Sequence, residues 1–186
     1  MTKEDSAAAA PTFVGAGINY VALNFSVIPQ VRLPEMVDHV RRAVAWIWHN
    51  AASLNADPNR VTISGHSSGG HIVGVVLTTD WSAYGVPANI VKGGVCLSGM
   101  YDLAPVMLSA RSSYVQLSAD EIAALSAMRH LGRITCPDMV GHGERESPES
   151  KRHSVEFAAA LTQLAQNRHP GLIESIWAHQ ENEWVI

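Results

Sequence analysis

The chain has 186 residues, 47% of them hydrophobic, and a formal net charge of −4. That length suits one domain with a sizeable core, so residues 1–186 are read as a single domain. The composition is that of a folded globular chain and argues against a disordered tail or a basic nucleic-acid-binding module. No apolar run reaches the roughly 18 residues a membrane helix needs, and Met1-Thr2-Lys3-Glu4-Asp5 is too acidic to open a secretory signal. The expected location is the cytoplasm, with no nucleic-acid or membrane partner.

Ile18 to Phe25, a mostly apolar run after Gly15-Ala16-Gly17, predicts a largely buried strand of the kind found in parallel sheets. Pro34 fits a first helical turn, and Met36, Val37, Val40, Val44, Ile47, Trp48 and Ala51 recur at helical spacing as one apolar stripe. Asp57-Pro58-Asn59 is turn chemistry, and the β-branched Val61 to Ser64 predicts a second strand. Gly69 to Thr79 starts with glycines and turns apolar nearly all round, as a central helix does. Val91 to Leu97 reads as a third strand. Ser118 with Glu121 forms a capping-box pattern, predicting a helix to about Met128. Ile134 to Val140 reads as a fourth strand, with Pro137 restricting it to an edge position or a strand start. Ser147-Pro148 opens a helix with Val155, Ala158, Leu161 and Leu164 facing inward; His169-Pro170-Gly171 ends it, and Leu172 to Trp177 is a last strand. Strands alternating with helices predict a parallel α/β sheet with ligand sites at the carboxyl ends of its strands.

Cys96 and Cys136 form no C-x-x-C pair and have no partnering His spacing, so both are expected as buried, unbridged thiols. The nine histidines fall into no metal-ligand spacing, and no phosphate loop is present. The chemistry therefore calls for no cofactor and no metal.

Val61 to Ile72 (VTISGHSSGGHI) places G-x-S-x-G between a strand and a small-residue helix start. A serine at such a turn needs small neighbours, here Gly65 and Gly69, and the turn lifts its hydroxyl above the sheet. Ser67 is thus the candidate nucleophile. The amide of Ser68, at the helix start, can point at an oxyanion. A serine hydroxyl needs a general base held by a third group. In this arrangement the acid and then the His follow along the chain. Glu144, Glu146 and Glu149 lie after the strand ending near Val140, and His179 follows the last strand; His142, His153 and His169 are less well placed. Asp102 follows a strand too, but its expected task is capping a loop. Trp46 and Trp48 are expected to pack on the core, and Trp81 and Tyr84 either to pack there or to border a site for an aromatic ring.

At these residues the sequence resembles the kynurenine formamidase (arylformamidase) branch of the α/β hydrolases, which is related to hormone-sensitive-lipase-like esterases. The resemblance covers nearly the whole chain. It rests on Gly17 to Phe25, Arg41 to Trp46 and, most specifically, on Ser64-Gly65-His66-Ser67-Ser68-Gly69-Gly70-His71 and Leu97-Ser98-Gly99-Met100-Tyr101-Asp102-Leu103. It implies an α/β-hydrolase fold, a mainly parallel sheet flanked by helices, with Ser67 as nucleophile. The family's acid block matches Arg145 to Ser154 loosely and favours Glu146 over its neighbours. The implied reaction is metal-free hydrolysis of an N-formyl aryl amine such as N-formylkynurenine to formate and the free amine. A small-ester carboxylesterase with the same machinery and a non-catalytic hydrolase-fold fragment are the alternatives. The implied partner is a small-molecule substrate, with a homo-oligomer compatible.

The sequence departs from the family in two places. The H-G-G-x-W block that completes the family's oxyanion hole is absent, as though the domain were truncated at its N-terminus. Ser68 then remains as one donor, and losing an oxyanion donor costs about 2.7 to 4 kcal/mol of transition-state stabilisation. A strand between Ile18 to Phe25 and Val61 to Ser64 would also be missing, leaving either direct pairing or unpaired backbone and a less stable or association-prone protein. Near the C-terminus, Ala178-His179-Gln180-Glu181 stands where the family has a Gly-x-x-His-Phe turn and a final helix. Truncation is expected there as well, and it bears most on His179.

Overall fold

A computed structural model describes residues 5–168. Within them one parallel sheet is built from β1 (Thr62–His66), β2 (Gly93–Leu97) and β3 (Asp138–Gly141), in the order β1-β2-β3. His66 pairs with Leu97 and Leu97 with Gly141, so the carboxyl ends of all three strands lie level. Whatever follows each strand is thereby delivered to one edge of the sheet, as α/β ligand sites require.

The helices are α1 (Ala10–Gly15), α2 (Leu33–Asn50), α3 (Ser68–Leu77), α4 (Leu103–Val106), α5 (Ala119–Ala124) and α6 (Pro148–Arg168). The apolar stripe of α2 is real: Met36, Val37, Val40, Val44 and Ala45 are buried. Every residue of α3 from Gly70 to Leu77 is buried too, which explains its lack of a polar face. Ser118 and Glu121 close the capping box at α5, and Ser147 Oγ accepts from the Ser150 amide at the start of α6. Tyr101 links α3 to α6. Its ring lies against Gly74 of α3 and stacks on Phe157 of α6, with centroids 4.0 Å apart.

Several expectations need correction. Ile18 to Phe25 forms no strand. Among the described residues β1 is an edge strand whose one neighbour is β2, and Ile18 to Phe25 does not pair with its open side. The Asn19 side-chain amide donates instead to the Leu54 carbonyl, while Leu23 and Phe25 pack on the core and Ile18 and Val21 stay half exposed. On α6 the buried residues are His153, Ser154, Phe157 and Leu161, and Val155 is exposed. The helix is rolled so that its largest apolar ring meets Tyr101. The helix at Ser118 ends at Ala124 and is followed by a short 3-10 turn, Ala127–Arg129. β3 begins only after Pro137, as a strand start does. Cys96 is fully buried, but Cys136 only partly so; neither is bridged. The strand expected at Leu172 to Trp177 lies outside the described residues, as do His169 and His179.

Candidate active site

Ser67 sits between the last residue of β1 and the first of α3, with φ 56° and ψ −116°. A positive φ at a non-glycine residue costs on the order of 1–3 kcal/mol and is held only by its surroundings. Two hydrogen bonds hold it. The Ser67 amide donates to the Leu97 carbonyl at 2.8 Å, and the His71 amide donates to the Ser67 carbonyl at 3.1 Å. The bend also needs close backbone approach: a Cβ at Gly65 would lie 2.4 Å from the Gly69 carbonyl oxygen, and one at Gly70 would lie 2.4 Å from that of Leu97. A Cβ at Gly69 would meet nothing within 4 Å. The steric requirement thus falls on Gly65 and Gly70, not on Gly65 and Gly69 as the motif suggests. Ser68 opens α3, so its amide has no acceptor within the helix and faces the end where the helix dipole is positive.

The acid candidates separate cleanly. Glu144 and Glu149 are exposed, and Glu149 pairs with Arg152 at 2.6 Å. Glu146 turns inward from the loop after β3. Its Oε1 accepts from the Gly143 amide at 2.8 Å and from the Ser98 hydroxyl. Its Oε2 is buried and has no hydrogen-bond partner among the described residues. Ser67, Ser98, Met100, Arg111, Glu146 and Ser150 line one open cleft of about 250 Å³, which His66 also borders. The cleft therefore brings together Ser67 and Glu146, with Ser68 next to Ser67 at the start of α3, and it leaves Glu144 and Glu149 outside.

His142, His153 and His71 are each engaged elsewhere. His142 Nδ1 contacts the Gly143 carbonyl, and His153 Nε2 lies 3.6 Å from Glu149. Burial, reinforced by the Arg152 charge, pushes the His153 imidazole below its ordinary pKa. His71 donates from Nδ1 to the Met100 carbonyl at 2.7 Å, and burial nevertheless pushes it down to about 4. Asp102 caps α4 by accepting from the Ala104 amide at 3.1 Å, as expected. Trp81 is buried and the Tyr84 hydroxyl donates to Asp38, so both pack away from the cleft, while Trp46 is exposed rather than a core residue. Among the described residues no group of three or more His, Cys, Asp or Glu is arranged to hold a metal.

Ser98, Met100 and Arg111 were not singled out by the sequence as cleft residues. Ser98 carried a usable signal, since it directly follows β2 at the carboxyl end of the sheet. Arg111 carried none.

A parallel sheet with a strained serine between strand and buried helix, and a carboxylate after a later strand, is the arrangement of an α/β-hydrolase. Comparisons with known proteins agree. The BD-FAE family model matches residues 2–83. Kynurenine formamidase of Danio rerio is 29% identical over 166 residues, covering 87% of this chain and 55% of that protein. Esterase LipQ of Mycobacterium tuberculosis is 27% identical, covering 76% of this chain and 37% of that protein. A thermostable esterase from Pseudomonas putida superimposes with a TM-score of 0.63 at 16% identity, covering 76% of this chain and 50% of the other. The fold is that of the α/β-hydrolases, and the sequence is similar to the kynurenine formamidases over most of its length. The chain spans about half the length of the kynurenine formamidases it matches.

Proposed function

We propose that this chain carries the nucleophile and acid of a serine hydrolase that cleaves an N-formyl aryl amine to formate and the free amine. The observation behind this reading is the cleft that holds Ser67, at its strained turn, together with Glu146, one of whose carboxylate oxygens is buried and has no partner among the described residues. A buried carboxylate oxygen without a donor is costly, and the N–H of a base would satisfy it. Chain order and the family resemblance assign that base to His179.

In this reading Ser67 Oγ attacks the formyl carbon while His179 takes its proton, and the Ser68 amide donates to the developing oxyanion. His179 returns the proton to the leaving amine, and water then releases formate from the serine ester. Glu146 holds the imidazole in the required orientation throughout. A second reading, a small-ester carboxylesterase, uses the same groups and draws support from the esterase relative and the esterase structure.

Purified, folded chain is treated with a fluorophosphonate probe, with Ser67→Ala as control. Labelling that depends on Ser67 is the expected result; absence of labelling on folded protein rejects both readings and leaves a non-catalytic hydrolase-fold module. Comparing N-formylkynurenine with a short p-nitrophenyl ester then separates the two, and turnover of the ester alone rejects the formamidase.

A further inference from the structure

We propose that Ser98 is a positioning residue of this site, selecting which oxygen of Glu146 faces the base and tying the acid's loop to the nucleophile's turn. The proposal rests on the serine-hydrolase reading above.

The Leu97–Ser98 pair at the end of β2 is held from both sides. Toward β1, the Leu97 carbonyl accepts from the Ser67 amide at 2.8 Å. Toward β3, the Ser98 amide donates to the Gly141 carbonyl at 2.8 Å, and the Ser98 hydroxyl reaches Glu146 Oε1. One dipeptide thus connects the backbone of the nucleophile to the loop of the acid, and both connections are short and direct.

The backbone at Ser98 has φ 53°, the left-handed region where glycine is at ease and serine is not. A glycine at this position would relieve that strain, so the serine carries a conformational cost. What it adds is a hydroxyl. An ionised carboxylate only accepts hydrogen bonds, so the Ser98 hydroxyl must be the donor in its contact with Glu146. With the Gly143 amide it fills Oε1 and leaves Oε2 as the oxygen without a donor among the described residues. Removing the hydroxyl would leave Oε1 one donor, and the two oxygens would then compete for the base. A base held in two orientations is in the productive one for only part of the time.

The test compares Ser98→Gly and Ser98→Ala with wild type by rate of Ser67-dependent fluorophosphonate labelling and by kcat and KM on a short p-nitrophenyl ester. Both variants lack the donor, but only Gly is comfortable at this backbone angle. The expected result is a fall of about 10- to 100-fold in labelling rate and kcat for both, the range for losing a hydrogen bond to a charged group. KM should stay within about twofold, and Ser98→Gly should melt no lower than Ser98→Ala. In a Glu146→Ala background, Ser98→Gly should have little further effect, because Ser98 acts through Glu146. Wild-type labelling rate in Ser98→Gly overturns the proposal. So does a loss in Ser98→Gly that persists undiminished when Glu146 is already Ala. If folded wild-type chain does not label at all, the serine-hydrolase reading itself fails and takes this proposal with it; if wild type labels and Ser98→Gly labels equally, only the role of Ser98 fails.

Discussion

Two stretches of this chain contrast usefully. Ile18 to Phe25 is apolar and β-prone, yet forms no strand, whereas Thr62–His66, with Ser, Gly and His among its five residues, is a strand paired along its whole length with β2. β-propensity describes how a side chain fits a pleated, half-buried surface; it does not supply a partner for the backbone. β1 has that partner in β2 and, directly behind it, a helix buried from Gly70 to Leu77. Among the described residues Ile18 to Phe25 has neither, and it is anchored through Asn19 and by the packing of Leu23 and Phe25. Stability near the site should therefore depend on a few buried contacts, and stability near Ile18 on almost none.

The largest expected effect is at Phe157. Its ring is fully buried and stacks on Tyr101, the contact that holds α6, and with it the Glu146 loop, against the sheet. Phe157→Ala should cost about 3–5 kcal/mol by urea denaturation. A loss under 1 kcal/mol would mean that α6 is held elsewhere.

Next is a pH effect. His71 is buried as the neutral imidazole, with its pKa pushed from 6.5 to about 4. Between these values the unfolded chain binds more protons than the folded one, so stability is full above pH 6.5 and falls as the pH drops toward 4. The loss is at most about 3 kcal/mol. His153, also depressed by burial, acts in the same direction. Asp138 opposes them: burial raises its carboxyl to about 6, so below that pH the folded state gains protons first and is favoured. Denaturation midpoints at pH 7, 5 and 4 should fall less steeply in His71→Asn and more steeply in Asp138→Asn than in wild type. An unchanged slope in His71→Asn would show that this imidazole is not buried neutral.

The turn at Ser67 offers a test of opposite signs. Gly65→Ala drives a methyl into backbone and should cost about 1–3 kcal/mol. Gly69→Ala faces open space within a helix and should leave stability unchanged or raise it by up to about 1 kcal/mol. Equal losses at the two sites would mean that the turn is not built on the Gly65 contact.

What the sequence disclosed and what it hid follow the same division. The Ser67 turn, the α2 stripe and the caps at Ser118 and Asp102 were legible because each is set by neighbours a few residues away. The α6 face was misjudged because Val155 and Phe157 are both apolar, and only the distant ring of Tyr101 decides between them. Glu146 stood among three carboxylates until the resemblance favoured it; its inward turn depends on Gly143 nearby and on Ser98 from another strand. Ser98 lies in a recognisable motif, but its role is defined by partners far away in sequence.

The smallest expected effect lies at Val21, and it tests the opening contrast most directly. Val21 and Ile18 are 49% and 50% exposed, while Leu23 and Phe25 pack on the core. If Ile18 to Phe25 lies along the surface without a ladder, Val21→Ser removes no backbone pairing and little buried area. The change should stay within about 0.5 kcal/mol, as for surface substitutions generally. Phe25→Ser, in the same stretch, should cost clearly more. A loss at Val21 matching that at Phe25 would show both sides of this segment to be covered, which is the environment of the inner strand its composition first suggested.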